Sequence, residues 1–72
     1  MKLYTLEYVL GYHNNESNTD SFITYRVHGI VEVKINIQLN VIAVFYDSTS
    51  PLSSQKFDLN GELISLSLKR EQ

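Results

Sequence analysis

The chain has 72 residues, six basic and eight acidic side chains, a formal charge of −2, and no cysteine or tryptophan. That length allows one small domain, which buries only about 60% of its unfolded surface and has no disulfide to brace it. The basic residues Lys2, Arg26, Lys34, Lys56, Lys69 and Arg70 are scattered, so no patch is available for phosphate binding, and −2 is far too little charge for an acidic nucleic-acid mimic.

No apolar run approaches the roughly 20 residues of a membrane-spanning helix. The N-terminus carries Glu7 inside its apolar stretch and has no small-residue cleavage site, so it does not read as a signal peptide. Asn15-Glu16-Ser17 matches the glycosylation pattern, which a chain that is not exported does not use. These features predict a soluble, cytoplasmic protein with no membrane partner.

In chain order, Tyr4, Leu6, Tyr8, Leu10 and Tyr12 fall on one face of a strand over 2–12. The tyrosines favour strand over a competing helix through Leu3, Leu6, Val9 and Leu10. Residues 13–20 are polar and read as a loop. Strands over 21–28 and 30–37 follow, with Gly29 as the candidate for a break or bulge. From Val27 to Phe45 every odd position is apolar or glycine, while Glu32, Lys34, Asn36, Gln38 and Asn40 are polar. A straight strand of that length would reach roughly 60 Å, so the chain must turn. Gln38-Leu39-Asn40 is the best place, with Asn40 in the left-handed region. A three-residue loop there sets Ile37 opposite Val41, Ile35 opposite Ala43 and Val33 opposite Phe45.

The next strand, over 41–47, is apolar on both faces along Val41–Tyr46, which predicts burial from two sides or a place in an interface. Residues 48–54 read as a loop that Pro51 keeps out of any ladder. Phe57–Ile64 reads as a hairpin between strands over 55–59 and 62–69, with Asp58 opening a type I turn and Gly61 left-handed. Residues 69–72 form a solvated tail. The expected fold is all-β: six short antiparallel strands in a meander, either a small barrel or a curved open sheet.

Residues that could carry chemistry are few. His13, Glu16 and Asp20 share a loop, with His28 elsewhere, and their spacing is not that of a zinc site; no metal or other cofactor is expected. The serines have neither a Gly-x-Ser-x-Gly elbow nor a glycine-rich phosphate loop beside them, so no catalytic residue is assigned and the chain reads as a non-enzyme. The candidates for partner binding are Tyr4, Tyr8 and Tyr12 on the first strand, and Ile42, Val44 and Tyr46 in the doubly apolar segment. The tyrosine row reads first as core with its phenol oxygens at the rim, then as an anchor for a protein partner, and last as a platform for bases or sugars.

The functional expectation is a non-catalytic protein–protein interaction module that self-associates and serves as a small regulator, inhibitor or accessory subunit. Its alternative is a small β-barrel that binds single-stranded nucleic acid or a small ligand through the tyrosine face.

Overall fold

The computed structural model describes residues 2–47 and 53–71. Five antiparallel strands form one open sheet: β1 (Tyr4–Asn14), β2 (Thr19–Asn36), β3 (Val41–Tyr46), β4 (Ser54–Asp58) and β5 (Glu62–Arg70), in the order β4-β3-β2-β1-β5. The chain is all-β, as its alternation predicts, and takes the form of a curved open sheet. No helix among the described residues is long and apolar enough to cross a membrane.

Strand number falls from six to five because the segments on either side of Gly29 are one continuous β2. Gly29 marks a bend in that strand. Its φ is 70°, a left-handed value that only glycine adopts without strain. The β1–β2 register shifts between Tyr4 and Leu6, and the β2–β3 register shifts between Ile30 and Glu32, so β2 carries an extra residue on each side of Ile30. Ile30 is the crossing point: it pairs with Tyr4 of β1 and with Tyr46 of β3.

The bend is required by connectivity. Through the ladders, Asp58 lies level with Asn36, and Glu62 lies level with Phe22. On a flat sheet those levels would be roughly 46 Å apart along β2. Only residues 59–61 join them, and these reach at most about 14 Å. The β3–β4 ribbon must therefore fold back over β1 and β2. Between the two layers lie Leu6, Tyr8, Leu10, Ile30, Ile42 and Val44, all buried, with Val27, Val33, Phe57, Leu59 and Leu63 around them. A bond from Leu59 N–H to the Asn40 carbonyl (2.7 Å) fixes the end of β4 to the β2–β3 turn.

Four sequence expectations are corrected. First, the polar loop shrinks from 13–20 to 15–18, because His13 and Asp20 pair in the ladder, as do Asn14 and Thr19. Second, the β2–β3 loop has four residues, not three: Asn36 pairs with Val41 and Ile35 with Ile42. The Asn36 side chain accepts the Leu39 N–H at 3.1 Å and closes the longer turn, with Asn40 left-handed at φ 52° as expected. This one-residue slip turns Ile42 and Val44 inward beside Val33, and turns Val41, Ala43 and Phe45 to the opposite face.

Third, Phe57–Ile64 is not a hairpin. β4 pairs with β3, β5 pairs with β1, and no ladder joins the two strands among the described residues. Gly61 does not take a positive φ. It is needed for space, since a Cβ there would lie 2.6 Å from the Gly11 carbonyl oxygen and 2.9 Å from the Tyr12 ring. Fourth, Lys69 and Arg70 belong to β5, and Glu71 bonds through its N–H to the Leu3 carbonyl at 2.9 Å, so no free tail begins at residue 69. The loop expected around Pro51 falls, over 48–52, outside the described residues.

Candidate interaction surfaces

Inward-facing tyrosines line the core layer of β1. Tyr8 is 3% exposed, and its ring stacks on Tyr25 with centroids 5.0 Å apart and planes 14° from parallel. The Tyr12 and Tyr25 hydroxyls meet at 3.4 Å. That bond and the partial burial around it hold the Tyr12 phenol above its ordinary pKa, while burial and then the Tyr25 charge raise Tyr8. Tyr4 and Tyr46 are half-buried on either side of Ile30, and the Tyr46 hydroxyl donates to Gln55 Oε1 at 3.0 Å.

Of the six residues the sequence nominates for a partner, Tyr8, Ile42 and Val44 are thus inside the single chain, and Tyr4, Tyr12 and Tyr46 sit at the rim. The segment Val41–Tyr46 is buried on one face only. Its other face is partly screened by Lys34, whose Nζ lies 5.4 Å from the Phe45 ring centroid.

The titratable residues are dispersed. His13 Nδ1 meets Asp20 Oδ1 at 2.6 Å near the β1–β2 turn. His28 lies roughly 26 Å down the ladder, where its Nδ1 is 3.0 Å from the Thr5 hydroxyl. That hydroxyl donates to Glu71 Oε1 at 2.9 Å, and Glu71 Oε1 also accepts the Gly29 N–H at 2.9 Å. A hydroxyl has one proton to give. With that proton on Glu71, His28 Nδ1 must be the donor to Thr5. The Thr5–His28–Glu71 set therefore clamps the end of β5 to the bend in β2. The sequence reading missed Thr5 and Glu71 because they meet only through non-local pairing. Among the described residues, no group of three or more His, Asp or Glu side chains is placed to hold a metal ion.

What the surface does offer is apolar. Among the described residues, eight large hydrophobic side chains are exposed and six are buried. Seven of the eight fall in three places, and the eighth, Ile23, stands opposite Leu10 on β2. Phe22 and Ile64 lie over Gly11 on the outer face, where glycine leaves room: a Cβ at Gly11 would touch Ile64 at 3.1 Å and Phe22 at 3.3 Å. Ile35 at the end of β2 and Ile37 and Leu39 in the β2–β3 turn stand beside a groove of about 380 Å³ that Lys34 and Lys56 flank. Leu66 and Leu68 continue the core face outward along β5, opposite Tyr8 and Leu6.

β5 bonds to β1 along one side and, among the described residues, forms no ladder along the other, so its backbone edge is open as well. Part of the signal for this surface was present in the sequence, as Leu66 and Leu68 alternating with Ser65 and Ser67, while the bulge that turns Ile64 to the outer face left none. What the sequence could not show is that β4 never covers β5.

Comparison with known proteins finds no match: no family model, curated protein or solved structure is significantly similar to this chain.

Proposed function

We propose that this protein is a non-catalytic protein–protein interaction module that associates with itself, and that it acts in that form as a small regulator, inhibitor or accessory subunit. One observation carries the reading: among the described residues, more large apolar side chains are exposed than buried, eight against six. Area makes the same point. The accessible surface is 5367 Å², whereas a compact monomer of this mass exposes roughly 4,600 Å². The excess is close to the roughly 800 Å² that each partner gives up in a standard interface. The radius of gyration is 14.0 Å, against about 11 Å for a compact chain of this length. Association would cover surface that a monomer leaves wet. A cytoplasmic setting suits a chain that holds its fold without cysteine.

Sedimentation velocity between 1 and 100 μM tests the reading. The expected result is a dimer or larger assembly whose population grows with concentration. A species that remains monomeric and folded across that range overturns it.

A further inference from the structure

We propose that the partner is a second copy of this chain, and that the two copies pair their β5 strands antiparallel about a two-fold axis through Leu66, joining two sheets into one. This inference rests on the self-association reading and adds the strand, its register and the charges that select it.

The first support is the open edge. β5 is nine residues long, and the backbone groups on its outer side have no ladder partner among the described residues. Pairing them with an identical strand satisfies both copies with one set of contacts, as a two-fold interface requires.

Register follows from the faces. Residues directly opposite each other in an antiparallel pair share a face. Leu66 and Leu68 continue the core face, while Ser65 and Ser67 lie on the other. A two-fold through Leu66 sets Leu66 against Leu66 and Ser65 against Ser67. Moving one strand by a single residue sets serine against leucine throughout.

The bulge strengthens the assignment. The β1–β5 register shifts between Val9 and Leu10, leaving Ile64 as the extra residue of β5 and Leu63 opposite Leu10. In the proposed joint the bulge leaves Ile64 unpaired on this side as well. Across the proposed joint it therefore brings Leu63 opposite Leu68, both on the core face. The same shift brings Glu62 to the Lys69-Arg70 pair of the other copy.

Charge is the second, independent support. Glu62, Lys69 and Arg70 are exposed, and none forms an ion pair with another described residue. They stand at opposite ends of one strand with opposite signs. An antiparallel two-fold brings unlike ends together twice. A parallel pairing would instead set Glu62 against Glu62 and the basic ends against each other.

Two measurements test the joint. The native chain has no cysteine, so Leu66→Cys reports alone. Directly opposed antiparallel residues have Cα atoms about 4.5 or 5.5 Å apart, inside the disulfide range of roughly 4.4–6.8 Å. Mild oxidation should convert Leu66→Cys to a covalent dimer, while Lys56→Cys on β4 should stay uncrosslinked.

The second is a charge swap read by sedimentation. Glu62→Lys alone and Lys69→Glu/Arg70→Glu alone should each weaken dimerisation by about tenfold or more, by repulsion at both ends of the joint. An equimolar mixture of the two should recover association as a heterodimer. These side chains are exposed, so the swap stands even where Leu66→Cys does not fold. A wild-type dimer that neither crosslinks at 66 nor shows recovery in the mixture overturns the β5 joint and leaves self-association intact. A wild-type monomer overturns both.

Discussion

The two outer edges of the sheet are built from opposite materials. β4 is five residues long, Ser54-Gln55-Lys56-Phe57-Asp58, with a lysine at its centre and its one aromatic opposite buried Ile42. Short length, polarity and a central lysine are the usual means of making an edge unattractive to other strands. β5 has nine residues and exposes Ile64, Leu66 and Leu68 by 36% or more. One chain thus guards one edge and leaves the other sticky. The unguarded edge is also the one whose ends carry complementary, unpaired charges.

The comparison is most easily broken from inside, at β3. Val44 is 0% exposed and pairs with Gln55 of β4. Val44→Lys would place an ammonium group in the apolar layer that holds β4 in place, at a cost of several kcal/mol. That is comparable to the whole stability of a small domain, roughly 5 kcal/mol. Circular dichroism should show the variant unfolded or melting far below wild type. A wild-type melt would mean that β4 is not held by this core.

β5 should respond differently. Leu66→Ser or Leu68→Ser removes a side chain already partly in water, so monomer stability should fall by about 1 kcal/mol while the dimer population collapses. Lys56→Val on β4 should do the reverse, leaving stability within about 0.5 kcal/mol and adding concentration-dependent association through the second edge. Urea denaturation paired with sedimentation separates the effects. Equal association losses from β4 and β5 substitutions would erase the distinction between the edges.

The unequal treatment of the edges explains what the sequence could and could not reveal. Alternation identified β1, β5 and both halves of β2, because one wet face and one dry face leave a period-two record, whereas β3 read as apolar on both faces and β4 was placed only through the hairpin-like composition that follows it. Asn40 and Gly29 were legible as turn and bend, because few residues enter the left-handed region cheaply. The partner of β5 was not legible. Asp58-Leu59-Asn60-Gly61 has the composition of a tight hairpin, and nothing local announces that β2 bends far enough for β5 to pair with β1. The loop after Asn36 was misjudged by one residue for a related reason: three- and four-residue loops both suit Asn40, and the choice falls to the Asn36 side chain and to the layer that must receive Ile42 and Val44. The tyrosine row was legible as a face but not as core or surface, a question settled by the same bend.

The two hairpin turns give a smaller contrast of the same kind. Asn14 and Asn36 each accept a backbone N–H from the turn with the side-chain oxygen, and Asn18 and Asn40 each have φ 52°. The backbone device is shared, yet one tip is Asn-Glu-Ser-Asn and the other Ile-Gln-Leu-Asn. Asn40→Ala should cost about 1–2 kcal/mol through the left-handed strain, whereas Asn40→Gly should be nearly neutral. Ile37→Ser/Leu39→Ser should leave the melt almost unchanged, since those side chains are 78% and 70% exposed. A large loss of stability from that double change would mean that the apolar tip is held within the monomer.

The smallest expected effect concerns what keeps β5 presented. Glu71 follows the strand, and its carboxylate accepts the Gly29 N–H and the Thr5 hydroxyl. Those bonds, the backbone one first, together with the nearby His28, hold its pKa below the ordinary glutamate value. A carboxylate that is more acidic in the folded state stabilises the fold fully above its unfolded pKa, and loses that contribution as pH falls through the lowered folded value. Glu71→Gln should therefore be slightly less stable than wild type at pH 7, and the gap should close between pH 5 and the acid limit. Urea midpoints at pH 7, 5 and 3 would show it. A gap unchanged at pH 3 would mean that the side chain anchors β5 by shape alone.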